Sequence, residues 1–148
     1  MYKNILVPLD GSKLSLKAVP HALTLGKMMD ARITLFHASD PYPTGVTADG
    51  VVYPPFTRQQ YAVLCNKETD RIFAAAIRKA RTARFDLIGS AHATAEAPWQ
   101  AILGAAKKHR CDLIVMASHG RHGLASLILG SEAQKVLTHS KLPVLIVH

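Results

Sequence analysis

Asp10 is the first side chain with chemical potential that follows an apolar run. The turn Pro8-Leu9-Asp10-Gly11-Ser12 comes directly after Ile5-Leu6-Val7 and delivers a carboxylate to the end of that run. Asp10 and Ser12 equally suit turn and helix-cap chemistry, in which they accept hydrogen bonds from orphan amides. A second cluster follows Leu113-Ile114-Val115-Met116, where Ala117-Ser118-His119-Gly120 is separated by nine residues from Gly130-Ser131-Glu132-Ala133-Gln134. Glycine at 120 and 130 lets backbone amides turn inward and come close to a ligand. A helix opening at Ser131 aims its first amides and its positive dipole end at the same space, which makes an oxyanion site. The competing account is a Ser131-x-x-Gln134 capping box. It explains the cap but leaves the long glycine-bracketed loop without a purpose, so phosphate binding is the preferred chemistry.

The histidines add less. His119 and His122 are three apart, but no third ligand stands at zinc spacing. His37, closing another apolar run, reads as a hydrogen-bonded core or edge group. No nucleophile and base occur at motif spacing, so no catalytic residue is assigned.

These residues need a scaffold, and five short apolar runs supply it: Ile5-Leu6-Val7, Ile33-Thr34-Leu35-Phe36, Phe85-Asp86-Leu87-Ile88, Leu113-Ile114-Val115-Met116 and Val144-Leu145-Ile146-Val147. Four are continuous, as in strands covered on both faces, while the run from Phe85 alternates like an edge strand. Between them lie helical stripes: Ala18, Ala22, Leu25 and Met29, then Ile72, Phe73, Ala76, Ile77 and Ala80. Two more follow, Trp99, Ile102 and Ala106, then Ala133, Val136 and Leu137. The order βαβαβαβαβ predicts an α/β fold, a doubly wound five-stranded parallel sheet of order 3-2-1-4-5 with helices on both faces. In such sheets ligands bind beyond the carboxyl ends of the strands, where Asp10 and the 117–133 segment are expected to meet. Pro20 is expected to kink the first helix or delay its start. Ser39 to Thr57, with Pro41, Pro43, Gly45, Gly50, Pro54 and Pro55, has no clear period and reads as a long loop.

Length and composition set outer bounds. The 148 residues suit one domain, 1–148, able to bury a core without staples. Cys65 and Cys111 form no CxxC pair and read as buried reduced thiols, consistent with a cytoplasmic protein. The N-terminal apolar run is too short for a signal sequence, and no stretch is long enough to span a bilayer. The formal charge of +8 favours anionic partners. Few aromatics interleave the basic stretches 67–84 and 107–110, so these read as solvated helix faces, and a nucleic-acid partner is not expected. The fifth strand is apolar yet has no helix after it, which predicts a second subunit pairing there.

The opening strand ending Val7-Pro8-Leu9-Asp10-Gly11-Ser12, the stretch Asp112 to Gly120, the nine-residue spacing to Gly130-Ser131 and the closing Pro143-Val144-Leu145-Ile146-Val147 together resemble the universal stress protein family along the whole chain. Its ATP-binding members carry G-x-x-G, nine residues, then G-S or G-T. Here the first glycine is Ala117, one methyl group larger. The resemblance implies an ATP, ADP or AMP site: Asp10 near the phosphates with a magnesium ion or near the ribose, Pro8 and Leu9 beside the base, and Ala38 holding adenine through its backbone. Met116, Ala117, His119 and Gly120 would line the ribose and phosphate path, and Gly130, Ser131, Glu132 and Ala133 would receive the phosphates. The Glu132 carboxylate must turn away or meet a cation there. The implied role is a regulatory stress-response homodimer, with at most slow ATP hydrolysis by a water near Asp10 and His119. The alternative from another class is a ligand-free dimeric scaffold. A phosphoreceiver is excluded because Asp10 has no acidic neighbour and Ser90-Ala91-His92 follows the third run. Walker-type and dinucleotide-type loops are excluded because neither G-x-x-x-x-G-K-S/T nor G-x-G-x-x-G occurs.

Overall fold

The computed structural model describes residues 1–47, 50–52, 55–119 and 129–148, with the backbone alone described at 46–47 and 50–52. Five parallel strands form one sheet: β1 (Asn4–Pro8), β2 (Arg32–Ser39), β5 (Ile88–Thr94), β6 (Leu113–Ala117) and β7 (Val144–Val147). Their spatial order is β5-β2-β1-β6-β7, the expected 3-2-1-4-5. The central strand β1 pairs with β2 from Asn4↔Arg32 to Pro8↔Phe36 and with β6 at Ile5↔Leu113 and Leu6↔Ile114. Strand order therefore reverses between β1 and β6, and the ends of these two strands carry Asp10 and Ala117.

The alternating period of the sheet splits the core in two. Ile5, Val7, Ile33, Leu35 and Val115 face α1 (Ala18–Met29) and α2 (Arg58–Thr82). Leu6, Phe36, Ile114 and Met116 face α3 (Pro98–Lys108) and α4 (Ser131–His139). Strands covered on both faces have no polar alternation, which is why the runs of β1, β2 and β6 are continuous in sequence. Leu137, expected on the buried stripe of α4, is 48% exposed, and Ala133 and Val136 carry the packing instead.

Three of the helices end alike. Asp30, Arg84 and Arg110 adopt left-handed backbone with φ of 50, 52 and 53°. The next residue sends its amide back to the last turn, Ala31 to Gly26 O at 2.9 Å, Phe85 to Ala80 O at 3.0 Å and Cys111 to Ala106 O at 2.8 Å. Each of those three residues is buried, as the hydrophobic contact of such a cap requires.

That cap corrects the limits of the third strand. Phe85 is apolar because it anchors the end of α2, its ring so close to α1 that a Cβ on Gly26 would sit 2.9 Å from it. The strand runs instead over Ile88–Thr94 and is an edge, as the alternation indicated; Ser90, Ala91 and His92 lie inside it rather than after it. Pro20 does not kink α1. It occupies the first turn, where its missing N–H would have had no partner, after a 3-10 turn at Ser15–Lys17. The 39–57 segment is not wholly irregular either, because β3 (Gly45–Thr47) and β4 (Gly50–Val52) pair antiparallel within it.

Candidate functional site

A cavity of about 490 Å³ opens at the carboxyl edge of the sheet. Pro8, Leu9 and Asp10 of the β1 end, Ala38 of β2, Met116, Ala117 and His119 of the β6 end, and Gly130, Ser131, Glu132 and Ala133 of α4 all line it. Eleven of the twelve residues picked from the sequence thus surround one space; the twelfth, Gly120, lies outside the described residues, as does His122.

The β1 end is held from β2. Leu9 N–H donates to Phe36 O at 2.8 Å, and the buried His37 meets Leu9 O through Nδ1 at 2.7 Å. With both backbone groups of Leu9 occupied, the following turn has a fixed origin. Gly11 takes φ 83°, and Asp10 Oδ1 accepts the Ser12 N–H at 2.9 Å, the turn chemistry expected of these residues. Ser12 Oγ in turn accepts the Ser15 N–H at 3.0 Å.

On the other side, Ser118 N–H reaches Val147 O at 2.8 Å, so β6 and β7 stay paired up to the rim. Gly130 N–H donates to Ser118 O at 2.8 Å, and a Cβ on Gly130 would stand 2.9 Å from that oxygen and 3.2 Å from His119 Cα. Gly130 therefore permits a close approach of two backbone segments. A larger side chain at this position would therefore force these two segments apart.

Gly130 is also the N-cap of α4, and among the described residues no side chain caps that helix. The Ser131–Gln134 capping box does not form. A first turn has N–H groups without intrahelical acceptors, and here it opens on the cavity with the positive end of the dipole behind it.

Glu132 answers the repulsion expected of it by turning to other partners. One oxygen accepts Trp99 N–H at 2.9 Å and the other meets Lys135 Nζ at 3.1 Å. Trp99 sits in the first turn of α3, whose own N-cap, Ala97, offers no capping side chain. The carboxylate of α4 thus caps α3.

The cavity also has a wall that sequence reasoning missed. Tyr61, Leu64, Cys65 and Glu68 of α2 line it, together with His37, Ser39 and Asp40 around the β2 end. Cys65 is therefore half-buried in a cavity wall, not a core thiol, while Cys111 is buried and its thiol is pushed up to about 11, chiefly by desolvation. Burial, then the neighbouring Cys65 thiol, raises the Tyr61 phenol above its ordinary value. His92, hydrogen-bonded to Ser39 Oγ at 2.8 Å and stacked at 6.1 Å on His37, has its pKa lowered by desolvation first and by His37 second.

Among the described residues, no group of three or more His, Cys, Asp or Glu side chains could hold a metal ion. No helix among the described residues is long and apolar enough to cross a membrane.

The fold is a doubly wound α/β domain with a cavity where its strand order reverses, the place at which sheets of this kind bind ligands. The chain belongs to the universal stress protein family, which it matches over residues 1–148. It is 34% identical over 149 residues to universal stress protein YxiE of Bacillus subtilis, covering 99% of each chain. It superposes on the solved universal stress protein UspA from Lactobacillus plantarum with a TM-score of 0.79 at 21% identity, covering 99% of this chain and 98% of that one. A universal stress protein solved in complex with cAMP has a TM-score of 0.69 at 24% identity, covering 99% and 97%.

Proposed function

We propose that the cavity binds an adenine nucleotide and that the protein acts as a nucleotide-responsive regulator. The observation that supports this most is the uncapped first turn of α4 opening on a space that Asp10 also lines. Phosphate oxygens suit the amides of Ser131, Glu132 and Ala133, because these donors and the helix dipole both favour negative charge. The base then belongs at the opposite end, toward Ala38 and α2. The cAMP complex of a family member agrees with a ligand of this class.

Charge dictates how a polyphosphate would enter. Asp10, Asp40, Glu68 and Glu132 line the cavity, and no Lys or Arg does among the described residues. ATP would arrive with magnesium, which needs only one or two carboxylates besides the phosphates. Asp10 would supply one. His119, with Nδ1 3.1 Å from Ser118 Oγ, would border the phosphate path.

The working unit in this reading is a homodimer joined through β7. That strand is a sheet edge, and Leu145 on it is 39% exposed. Titration of the purified protein with ATP, ADP and AMP, with and without magnesium, tests the nucleotide reading calorimetrically. Heat and an upward melting shift are expected. Neither at millimolar ligand would overturn the reading and leave a ligand-free scaffold. Leu145→Lys is expected to shift sedimentation to the monomer; an unchanged dimer would place the interface elsewhere.

A further inference from the structure

The entries of the five strands are joined into one row. Ile33 N–H donates to Leu87 O at 2.8 Å, Arg32 N–H to Lys3 O at 2.9 Å, Asp112 N–H to Asn4 O at 2.9 Å and Ile114 N–H to Pro143 O at 3.0 Å. The segments that enter β5, β2, β1, β6 and β7 therefore stand side by side in that order. At an ordinary strand spacing of about 4.8 Å the row is roughly 19 Å across. Each entry brings one exposed cation, in spatial order Arg84, Arg32, Lys3, Arg110 and Lys141. The last turns of α1, α2 and α3 end at the same edge and add Lys27, Lys79, Arg81, Lys107 and Lys108, also exposed. Against these ten stand three acids, Asp30, Asp86 and Asp112, so seven of the eight net positive charges of the chain lie at this edge.

Helix dipoles account for part of the pattern, because cations are favoured in the last turn of a helix. The effect falls off beyond that turn and leaves Lys3, Arg32 and Lys141 unexplained. Nor does it explain the side chains at 84 and 110, where the left-handed backbone suits glycine and an arginine is held at a conformational cost. Both oxygens of Asp112 are turned to backbone amides. Among the described residues, no ion pair engages any of the ten cations. A row of unpaired positive charge attracts an extended anionic partner.

The same edge carries exposed apolar side chains. Met28, in the last turn of α1, is 75% exposed, and Leu87, just before β5, is 45% exposed. Their segments touch, because the Phe85 ring packs where a Cβ on Gly26 would stand 2.9 Å away. Lys27, Arg32 and Arg84 flank them in sequence. Among the described residues of this edge no aromatic ring is free to stack on a base: Phe85 is buried and Tyr2 packs against the core. Cations beside exposed aliphatic side chains suit a lipid headgroup layer, whereas single-stranded nucleic acid calls for exposed rings.

We propose that the amino edge of the sheet is a docking surface for a membrane rich in anionic lipid. The cation row meets the headgroups, and Met28 and Leu87 enter the interface at the corner where α1 ends and β5 begins. The protein lies on the bilayer without crossing it, through surface charge and shallow apolar contact. The cavity, at the opposite ends of the strands, faces away from the lipid.

Co-sedimentation of the full chain with vesicles tests this. Binding is expected on phosphatidylcholine vesicles that contain about 30% phosphatidylserine and not on phosphatidylcholine alone. Raising salt from about 0.05 to about 0.5 M should weaken it at least about tenfold. Arg84→Gly combined with Arg110→Gly removes two cations and relieves both backbones, so Tm should hold or rise while vesicle binding falls at least about tenfold. Met28→Ser, at an exposed position, is expected to weaken vesicle binding about threefold. No binding to the anionic vesicles at low salt, equal binding to the neutral ones, or full binding by the double glycine variant would each overturn the inference. Oligo-dT bound as tightly as the vesicles, with Met28→Ser altering neither, would also overturn it and assign the edge to nucleic acid.

Discussion

The two edges of the sheet are finished in opposite ways. At the amino edge, polar groups are consumed within the protein: Asp112 accepts Lys3 N–H at 2.7 Å and Asn4 N–H at 3.0 Å, and Asn4 donates its side-chain amide to His109 O at 2.7 Å. Thr34 Oγ1 donates to Asn4 Oδ1 at 3.1 Å, and the left-handed caps at Asp30, Arg84 and Arg110 close the turns that enter β2, β5 and β6. At the carboxyl edge α4 begins without a side-chain cap, α2 overruns the sheet, and the strands end on a cavity. The side-chain bonds that tie strand ends to turns and the cavity are thus separated along the strand direction, the first at the amino edge and the second at the carboxyl edge.

Damage to the amino edge should have the largest effect on stability. Asp112→Ala removes a carboxylate that accepts two backbone amides, and charged hydrogen bonds of this kind contribute about 1.5–3 kcal/mol each. A loss of about 3 kcal/mol in urea unfolding is expected, with AMP affinity of the folded protein unchanged. A fall in affinity at that distance from the cavity would show that the edges are not separate.

At the open edge the balance reverses. Asp10→Asn retains an oxygen for the Ser12 N–H and so should alter stability by less than about 0.5 kcal/mol. It removes the negative charge proposed to meet magnesium. Magnesium-ATP is expected to weaken about tenfold, roughly 1.4 kcal/mol, with AMP measured in EDTA unaffected. Equal losses for both ligands would mean that Asp10 contacts the nucleotide itself and not its cation.

How much of this was legible differs between the edges for physical reasons. Buried parallel strands need continuous apolar runs, so β1, β2 and β6 could be read directly; β7 carries such a run although it is a partly exposed edge, and the order followed from chain direction and the alternating edge run. The loops that line the cavity were legible because Asp10 and the 117–119 stretch stand immediately after those runs, Gly130 opens the next helix, and the topology brings these ends together. The third strand was displaced because Phe85 is buried for a different reason, as the anchor of a helix cap. A sequence search for caps looks for glycine, and these caps use Asp and Arg. The α2 wall was hidden because the turns before Thr69 bury nothing fully, leaving Arg58 to Glu68 without an apolar stripe strong enough to place it. Tyr42, Phe56 and Tyr61 meet ring to ring across a segment that carried no period.

A smaller effect sharpens the picture of the amino edge. Arg110 pays for its left-handed backbone, a conformation that costs a residue with a Cβ roughly 1 kcal/mol or more. Glycine would relieve that strain while adding freedom to the unfolded chain. Arg110→Gly should therefore stabilise by about 0.5 kcal/mol, a rise of roughly 1–2 °C in Tm, with no change in AMP binding. A drop in Tm would mean that the Arg110 side chain contributes more than its backbone costs.

The smallest effect tests whether the open edge carries any stability of its own. His92, beside Ser39 and His37 near the rim, has its pKa lowered by desolvation and by His37. Its unfolded value is near 6.5, so between that pH and its lower folded value the unfolded chain binds more protons than the folded one. Stability should accordingly be constant above about pH 7 and should fall as pH drops below about 6.5. His92 is well exposed, so solvent screening keeps its share small, and the informative quantity is the slope of Tm against pH rather than its size. His92→Gln retains a hydrogen-bonding group for Ser39 and cannot titrate; it should flatten the curve between pH 7 and 5. If the slope is identical in the variant, acid sensitivity arises from the carboxylates at the amino edge, and the open edge contributes to binding alone.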